Sequence, residues 1–217
     1  TFTDFVEAVT ARYQDRICYR IFRQGDENDM TYNQLGWYSY AVASYLMDKG
    51  VKKGDRIAIF GESCPNWMVM YLGIVMLGAI AVPILPDFSA REAKFIIKDS
   101  GSIGVCVNAK QYQKIADISP DLMVFRMEDL VHVPSSGDDF TFNKAPGFAM
   151  KSTKLRINDV KAVKPAENDI ASLIYTSGTT GSSKGVELSH MNILRGADLA
   201  TDVYISLKPG WKALSIL

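Results

Sequence analysis

Cysteine and histidine are scarce in this chain. Among its 217 residues there are two histidines and three cysteines, Cys18, Cys64 and Cys106. The cysteines are far apart and none belongs to a C-x-x-C pair. We therefore expect reduced thiols rather than a disulfide framework, which is the pattern of a cytoplasmic protein.

The chain also lacks an excess of either charge. It carries 24 basic and 24 acidic side chains, a formal net charge of zero. A nucleic-acid-binding protein usually shows a basic patch, so the balance argues against a nucleic-acid partner. No N-terminal signal peptide is visible.

One long hydrophobic run is present, but it is interrupted. The stretch Trp67–Leu85 has no charged residue and approaches the ~20 apolar residues of a membrane span. Two glycines and Pro83 break it. We predict a buried helix from Pro65 to about Gly78 and then a buried parallel strand over Ala79–Ile84. We therefore expect no transmembrane segment, with a membrane span as the alternative, and a peripheral membrane contact stays open.

Glycine, serine and threonine are concentrated in one place. Residues 176–185 read Thr-Ser-Gly-Thr-Thr-Gly-Ser-Ser-Lys-Gly, between an apolar run that ends at Tyr175 and an extended pattern that resumes at Val186. The pattern predicts strand, tight loop, strand. Small residues let backbone N–H groups approach an anion, and glycine permits the positive φ that turns successive N–H groups to one point. With Lys184 as a point charge, the stretch predicts a phosphate-binding loop; a flexible linker is the alternative.

Two familiar nucleotide motifs do not match this loop. The pattern G-x-x-x-x-G-K-[ST] would require Gly at Ser183 and Ser or Thr at Gly185. No G-x-G-x-x-G occurs in the stretch. The loop instead resembles the signature of the adenylate-forming ligases, the acyl-CoA synthetase and luciferase-like superfamily, written Y-T-S-G-T-T-G-x-P-K-G. Ser183 stands where that family usually has Pro, which would stiffen the loop.

The resemblance extends along most of the chain in the family's order. The lead-in Asp169–Tyr175 and the region from Asn66 to Pro83 look most like long-chain fatty acyl-CoA ligases. The further matching segments are Thr31-Tyr-Asn-Gln-Leu35, Gly54-Asp-Arg-Ile-Ala-Ile-Phe60, Asn66-Trp67, Tyr71–Pro83 and Leu188-Ser-His-Met-Asn192.

The resemblance implies an activity. It implies ATP-dependent activation of a carboxylic acid, a long-chain fatty acid above all, to an acyl-adenylate, followed by transfer to coenzyme A. Fatty acyl-AMP ligases, aryl-acid ligases and amino-acid adenylating enzymes are alternatives within the class. A non-catalytic nucleotide-binding module is the alternative from another class.

The candidate ATP-binding residues all lie in the loop, and no catalytic residue is identified. The resemblance further implies that Thr176 contacts Mg²⁺ or its water shell. We expect His190 to cap or orient the helix that follows. Asp87 and Asp99 show no partner pattern that would mark a pair of catalytic carboxylates. The loop candidates are Thr176, Ser177, Gly178, Thr179, Thr180, Gly181 and Lys184.

Alternating strand and helix patterns predict an α/β fold, the N-terminal part of the acyl-CoA synthetase-like fold. We expect a mostly parallel sheet flanked by helices, with a small antiparallel hairpin near residues 16–32 that turns at Gly25–Asp29. Further predictions are a helix over Gln111–Ala116, a long surface loop over 134–154 and a strand over Ala213–Leu217.

Residues 1–217 are expected to be the N-terminal, ATP-binding portion of a ligase's large domain. The family is usually more than twice as long, and this chain starts without Met and stops inside an apolar strand pattern. The family's acid pocket, ribose-binding Asp and C-terminal Lys have no counterpart here. We therefore expect residues 1–217 to be inactive alone; the oligomeric state stays open.

Overall fold

A computed structural model describes residues 1–23, 26–133, 154–176 and 183–203. Its helices and strands alternate along the chain. The helices are α1 (Phe2–Tyr13), α2 (Tyr32–Asp48), α3 (Pro65–Met76), α4 (Ala90–Asp99), α5 (Ala109–Tyr112), α6 (Ile157–Val163) and α7 (His190–Val203). The strands are β1 (Ile17–Arg23), β2 (Asp26–Thr31), β3 (Arg56–Phe60), β4 (Ile80–Ile84), β5 (Gly104–Val107), β6 (Met123–Arg126), β7 (His132–Val133), β8 (Ile170–Thr176) and β9 (Lys184–Ser189).

The main sheet is mostly parallel, as predicted. Its strand order is β7-β6-β5-β3-β4-β8-β9. The pairs from β6 across to β8 are parallel, whereas β7 and β9 add to the two edges in the antiparallel sense. Strands β1 and β2 form a separate antiparallel hairpin, which confirms the small antiparallel addition.

Helices cover both faces of the sheet because the strands are apolar on both sides. Along β3, Ile57 and Ile59 point into a core shared with α1, α2 and α3. Ala58 and Phe60 point into a second core shared with α4. Strands buried on both faces read as continuous apolar runs, which is why the apolar sequence pattern of these strands was informative.

The apolar run that resembles a membrane span is a buried helix followed by a buried strand. Helix α3 is buried from Val69 to Met76, and β4 lies between β3 and β8. Within the described residues, no helix combines the length and hydropathy needed to cross a bilayer. The prediction of a helix running into an interior parallel strand is confirmed.

Polar side chains define where two of the helices begin. The Thr31 hydroxyl accepts from the Gln34 N–H while the Gln34 side chain accepts from the Thr31 N–H, and Ser89 and Glu92 make the same reciprocal pair before α4. Such capping boxes satisfy N–H groups that have no partner inside the helix.

Several sequence predictions need correction. The turn predicted at Gly25–Asp29 was wrong in extent, because Asp26 onward belongs to β2, where Asp29 lies opposite Arg20 and bonds its guanidinium at 2.6 and 2.5 Å. The sequence of β2 lacks the apolar alternation that usually marks a strand, and this cross-strand ion pair stabilises its pairing with β1. The helix predicted over Gln111–Ala116 begins earlier, because the Asn108 side chain caps α5, and it ends at Tyr112.

Two short elements, α6 and β7, were not predicted. Of the predicted loop over 134–154, all residues except Lys154 lie outside the described residues. The predicted strand over Ala213–Leu217 lies outside them as well.

Candidate functional site

The predicted strand–loop–strand unit is the β8–β9 hairpin. Strand β8 pairs with β9 in the antiparallel sense, and the last registered pair is Thr176 opposite Lys184. These two residues therefore bracket the loop, and the two predicted strands on either side of it are confirmed. The other candidate ATP-binding residues, Ser177, Gly178, Thr179, Thr180 and Gly181, lie outside the described residues.

Thr176 and Lys184 share one face of the hairpin. Residues directly opposite each other on paired strands point to the same side, and both side chains are exposed. In the described ranges, no carboxylate lies within ion-pair distance of Lys184. A hydroxyl and an uncommitted ammonium thus stand side by side at the mouth of the loop, where they can bind an anion together.

The hairpin lies at the edge of the sheet where ligands of α/β folds bind. Strand β8 runs parallel to β4 and β3, so the loop after Thr176 follows the carboxyl edge of the sheet. In open α/β sheets, ligands bind outside these carboxyl ends. The loop's position agrees with the phosphate-binding prediction, which rests on its composition.

The usual ligand crevice of such a sheet is filled by protein here. The strand order reverses between β3 and β5, and a ligand commonly binds at that point. Glu62, just after β3, instead accepts a hydrogen bond from Asn108, just after β5. The Met127 side chain covers Gly61, since a Cβ on Gly61 would lie 2.8 Å from the Met127 sulfur. The packing here leaves the hairpin as the better candidate for a ligand site.

This filled crevice holds polar groups that sequence reasoning missed. Burial would raise the pKa of Glu62, but hydrogen bonds from its own backbone and from Asn108, Lys110 and Gln111 together lower it. Burial raises the pKa of Glu128. Among the described residues, Gln111 Oε1 and Glu128 Oε2 are buried without a hydrogen-bond partner. Only the tertiary structure brings these groups together, because they come from three separate strand ends.

Asp99, which showed no partner in the sequence, has one in the fold. The Tyr175 hydroxyl donates to Asp99 Oδ2 at 2.6 Å. Asp99 is the last residue of α4, where a negative charge meets the negative end of the helix dipole. That unfavourable placement is a sequence signal that could have marked Asp99 as having a partner elsewhere.

We expected His190 to cap or orient the following helix, and the capping role was wrong. Ser189 and Asn192 cap α7 instead: the Ser189 hydroxyl accepts from the Asn192 N–H, and the Asn192 side chain accepts from the Ser189 N–H. The buried His190 ring accepts from the Phe2 N–H through Nδ1 at 3.3 Å. Burial is the largest cause that lowers the pKa of His190, to about 4.

The hairpin mouth offers Mg²⁺ too few ligands to hold it unless phosphate oxygens of a substrate supply the rest. Within the described parts of the chain, no cluster of three or more His, Cys, Asp or Glu side chains could hold a metal. The exposed Thr176 hydroxyl is an oxygen ligand of the kind Mg²⁺ prefers, and this ion usually keeps waters and takes further oxygens from a substrate's phosphates. A single hydroxyl is therefore compatible with the implied ion.

Known proteins resemble this chain over most of its length. It is 24% identical to a long-chain-fatty-acid–CoA ligase of Bacillus subtilis, across 92% of this chain and 38% of that protein. It is 29% identical to a 3-hydroxybenzoate–CoA/4-hydroxybenzoate–CoA ligase of Thauera aromatica, across 85% of this chain and 34% of that protein. The chain thus spans little more than a third of the length of these relatives.

Solved structures show the same fold. The fatty acyl-adenylate ligase of L. pneumophila, crystallised with acyl adenylate and pyrophosphate, superposes with a TM-score of 0.66 at 27% identity, covering 94% of this chain and 33% of that one. The acyl-CoA synthetase-like fold expected from the sequence is confirmed. The profile of a family described as "AMP-binding enzyme" matches residues 6–217. With its hairpin, sheet and relatives all in agreement, the chain belongs to the AMP-binding enzyme family.

Proposed function

We propose that the full-length protein is an ATP-dependent, AMP-forming acid–thiol ligase, in which residues 1–217 form the N-terminal, ATP-binding portion of the large domain. The observation that carries this proposal is the β8–β9 hairpin. It places Thr176 opposite Lys184 at the two ends of a loop of small residues. Both side chains are exposed on one face and are free to meet an anion.

The proposed reaction has two steps. In the first, a carboxylate oxygen attacks the α-phosphorus of ATP, the bond to the β-phosphate oxygen breaks, and pyrophosphate leaves. In the second, the thiol sulfur of coenzyme A attacks the acyl carbonyl, loses its proton, and AMP leaves. Both steps depend on holding the reacting groups in line and on stabilising negative charge as it develops.

The hairpin's part is to hold the triphosphate. The Lys184 ammonium neutralises charge on the β- and γ-phosphates, and backbone N–H groups of the loop donate to their oxygens. When bound by phosphate oxygens and the Thr176 hydroxyl, Mg²⁺ would screen charge on the departing pyrophosphate. The proposed ATP ligands are the seven loop residues named from the sequence.

A long-chain fatty acid is the proposed substrate. The Bacillus subtilis relative bears that activity in its name. A fatty acyl-adenylate ligase that releases its product without using coenzyme A is the second candidate, favoured by the L. pneumophila structure. An aryl acid is the third, because the Thauera aromatica relative is a hydroxybenzoate–CoA ligase.

Exchange of labelled pyrophosphate into ATP tests the first step directly. The full-length protein is assayed with short, long, aromatic and amino acids, and thioester formation is then followed with coenzyme A. We expect pyrophosphate exchange with long-chain acids. We also expect the same acids to form a thioester once coenzyme A is added. Residues 1–217 alone, tested beside the full-length protein, are expected to give no exchange.

The alternatives predict different results. Exchange without thioester would favour the acyl-adenylate ligase, and exchange confined to aromatic or amino acids would reject the fatty-acid substrate. If no acid supports exchange while ATP still binds, the protein is a non-catalytic nucleotide-binding module and the ligase proposal is wrong.

A further inference from the structure

The residue just before the phosphate loop is held from outside its own hairpin. The Tyr175 ring crosses towards Gly185 on the neighbouring strand: a Cβ on Gly185 would lie 3.2 Å from Tyr175 Cζ and 2.9 Å from Leu173 Cδ1. Beyond the hairpin, the Tyr175 hydroxyl donates to Asp99 Oδ2 at 2.6 Å. Phe95 meets the ring edge-on, with the centroids 6.3 Å apart. Tyr175 is therefore fixed to helix α4.

The backbone ladder to β4 does not reach this end of the hairpin, which is held by side-chain packing in the second core. The pairing of β4 with β8 has a single registered pair, Ala81 opposite Ser172. Further along β4, Pro83 has no N–H to donate. Thr176 and Lys184 thus lie on the part of the hairpin that extends past this pair. Their position relative to the core depends on contacts such as those of Tyr175.

The placement of Asp99 agrees with a role outside its own helix. A carboxylate at the last residue of α4 is unfavourable for the helix dipole. The hydrogen bond from the Tyr175 hydroxyl offsets this by giving the Asp99 carboxylate a donor. Burial first, and the Asp99 hydrogen bond second, raise the pKa of Tyr175, so its hydroxyl stays protonated and remains a donor near neutral pH.

We propose that Tyr175, locked by Asp99 and seated on Gly185, is a positioning residue for ATP. By holding the mouth of the hairpin against α4, it sets where Thr176 and Lys184 meet the triphosphate. This inference rests on the proposed function of the loop. It assigns a role to the Tyr175 hydroxyl, which itself faces away from Thr176 and Lys184, since neighbouring residues of a strand point to opposite faces.

The test is Tyr175→Phe in the full-length protein, which removes one hydroxyl and keeps the ring. Tyr40→Phe is the matched control, because the Tyr40 hydroxyl also donates to a carboxylate, Glu7 Oε1 at 2.7 Å, between α2 and α1. The readouts are the Kd for ATP with Mg²⁺ by calorimetry, the KM for ATP and for the acid in pyrophosphate exchange, and thermal melting.

We expect a split between the two substrates. Loss of a hydrogen bond to a charged group should raise the Kd and the KM for ATP roughly tenfold in Tyr175→Phe, with the KM for the acid unchanged. Tyr40→Phe should lower the melting temperature about as much as Tyr175→Phe does. It should leave both the Kd and the KM for ATP unchanged. Asp99→Ala should raise the Kd and the KM for ATP to the same extent. The double variant Asp99→Ala/Tyr175→Phe should raise them little further, because the two residues act as one unit.

Three results would overturn the inference: a change of less than about threefold in the Kd for ATP, an equal change in Tyr40→Phe, or additive losses in the double variant. Failure of the proposed function is distinguishable. If the wild type binds ATP without exchange, the ligase proposal fails and the Kd still decides on Tyr175. If the wild type exchanges but Tyr175→Phe binds ATP normally, only the inference fails; if the wild type does not bind ATP, both fail.

Discussion

At the scale of single residues, Lys184 is the side chain on which the phosphate-binding proposal depends most. It is exposed at the hairpin mouth, and the described residues provide no carboxylate for it. A surface lysine with no partner contributes little to stability. Its energetic role is therefore expected to appear when an anion binds.

We predict that Lys184→Ala lowers the pyrophosphate-exchange rate at subsaturating ATP by roughly ten- to hundredfold, because a charge-assisted contact is worth about 1.5–3 kcal/mol. The free energy of unfolding should change by no more than about 0.5 kcal/mol. Lys52→Ala is the matched control, since Lys52 is also an exposed lysine, outside the hairpin. Equal exchange rates in the two variants would show that Lys184 is an ordinary solvent-exposed lysine that does not bind ATP.

At the scale of elements, the packing of α2 against α3 depends on a glycine. A Cβ on Gly73 of α3 would lie 2.4 Å from Val42 Cγ1 and 3.2 Å from the Ala43 backbone nitrogen, both on α2. Because the Ala43 nitrogen belongs to the backbone, a rotamer change of Val42 alone does not make room for it. The missing side chain lets α2 and α3 approach and bury the core between them and the sheet.

We predict that Gly73→Ala destabilises the protein by about 1–3 kcal/mol, because it overpacks a buried contact. Gly196→Ala in α7 is the control, since a Cβ there meets no atom within 4 Å; it should be neutral or stabilise by up to about 1 kcal/mol. Urea unfolding of both variants beside the wild type measures the difference. A Gly73→Ala protein as stable as the wild type would show that the two helices separate at no cost.

At the scale of the whole molecule, His190 joins distant parts of the chain. Its ring accepts from the Phe2 N–H at the start of α1 and packs on the Phe2 ring, with the centroids 5.6 Å apart. His190 Nε2 is buried and has no hydrogen-bond partner among the described residues. Because Nδ1 accepts, the neutral ring carries its proton on Nε2, and protonation would break the Nδ1 contact.

This buried imidazole predicts acid sensitivity. Burial lowers the pKa of His190 to about 4 from an ordinary value of 6.5, so the unfolded chain binds the proton more readily than the folded protein does. The stabilisation is fully present above pH ~6.5 and is lost as the pH falls towards ~4, by up to about 3 kcal/mol.

Urea midpoints measured from pH 7.5 to pH 4.5 test this expectation. In His190→Gln the part of the slope due to the imidazole should disappear, although the variant can be less stable at every pH. A variant with the same pH slope as the wild type would show that other groups cause the acid sensitivity.

Much of the fold could be predicted because its signals are local. The apolar run through α3 and β4 and the small residues after Tyr175 each lie within a short stretch of sequence. The predictions failed where the cause lay elsewhere in the chain. The first half of β2, predicted as a turn, is extended through its pairing with β1, and β7, which was not predicted, exists through its pairing with β6.

The sequence by itself determined the alternation of strands and helices, the small-residue composition of the loop and the resemblance to adenylate-forming ligases. All of these depend on residue type and spacing. Only the tertiary structure decided that Thr176 and Lys184 share a face, that Asp99 meets Tyr175 across 76 positions of sequence, and that His190 meets Phe2. These contacts depend on the order of strands in the sheet and on the direction of each side chain, which no local pattern encodes.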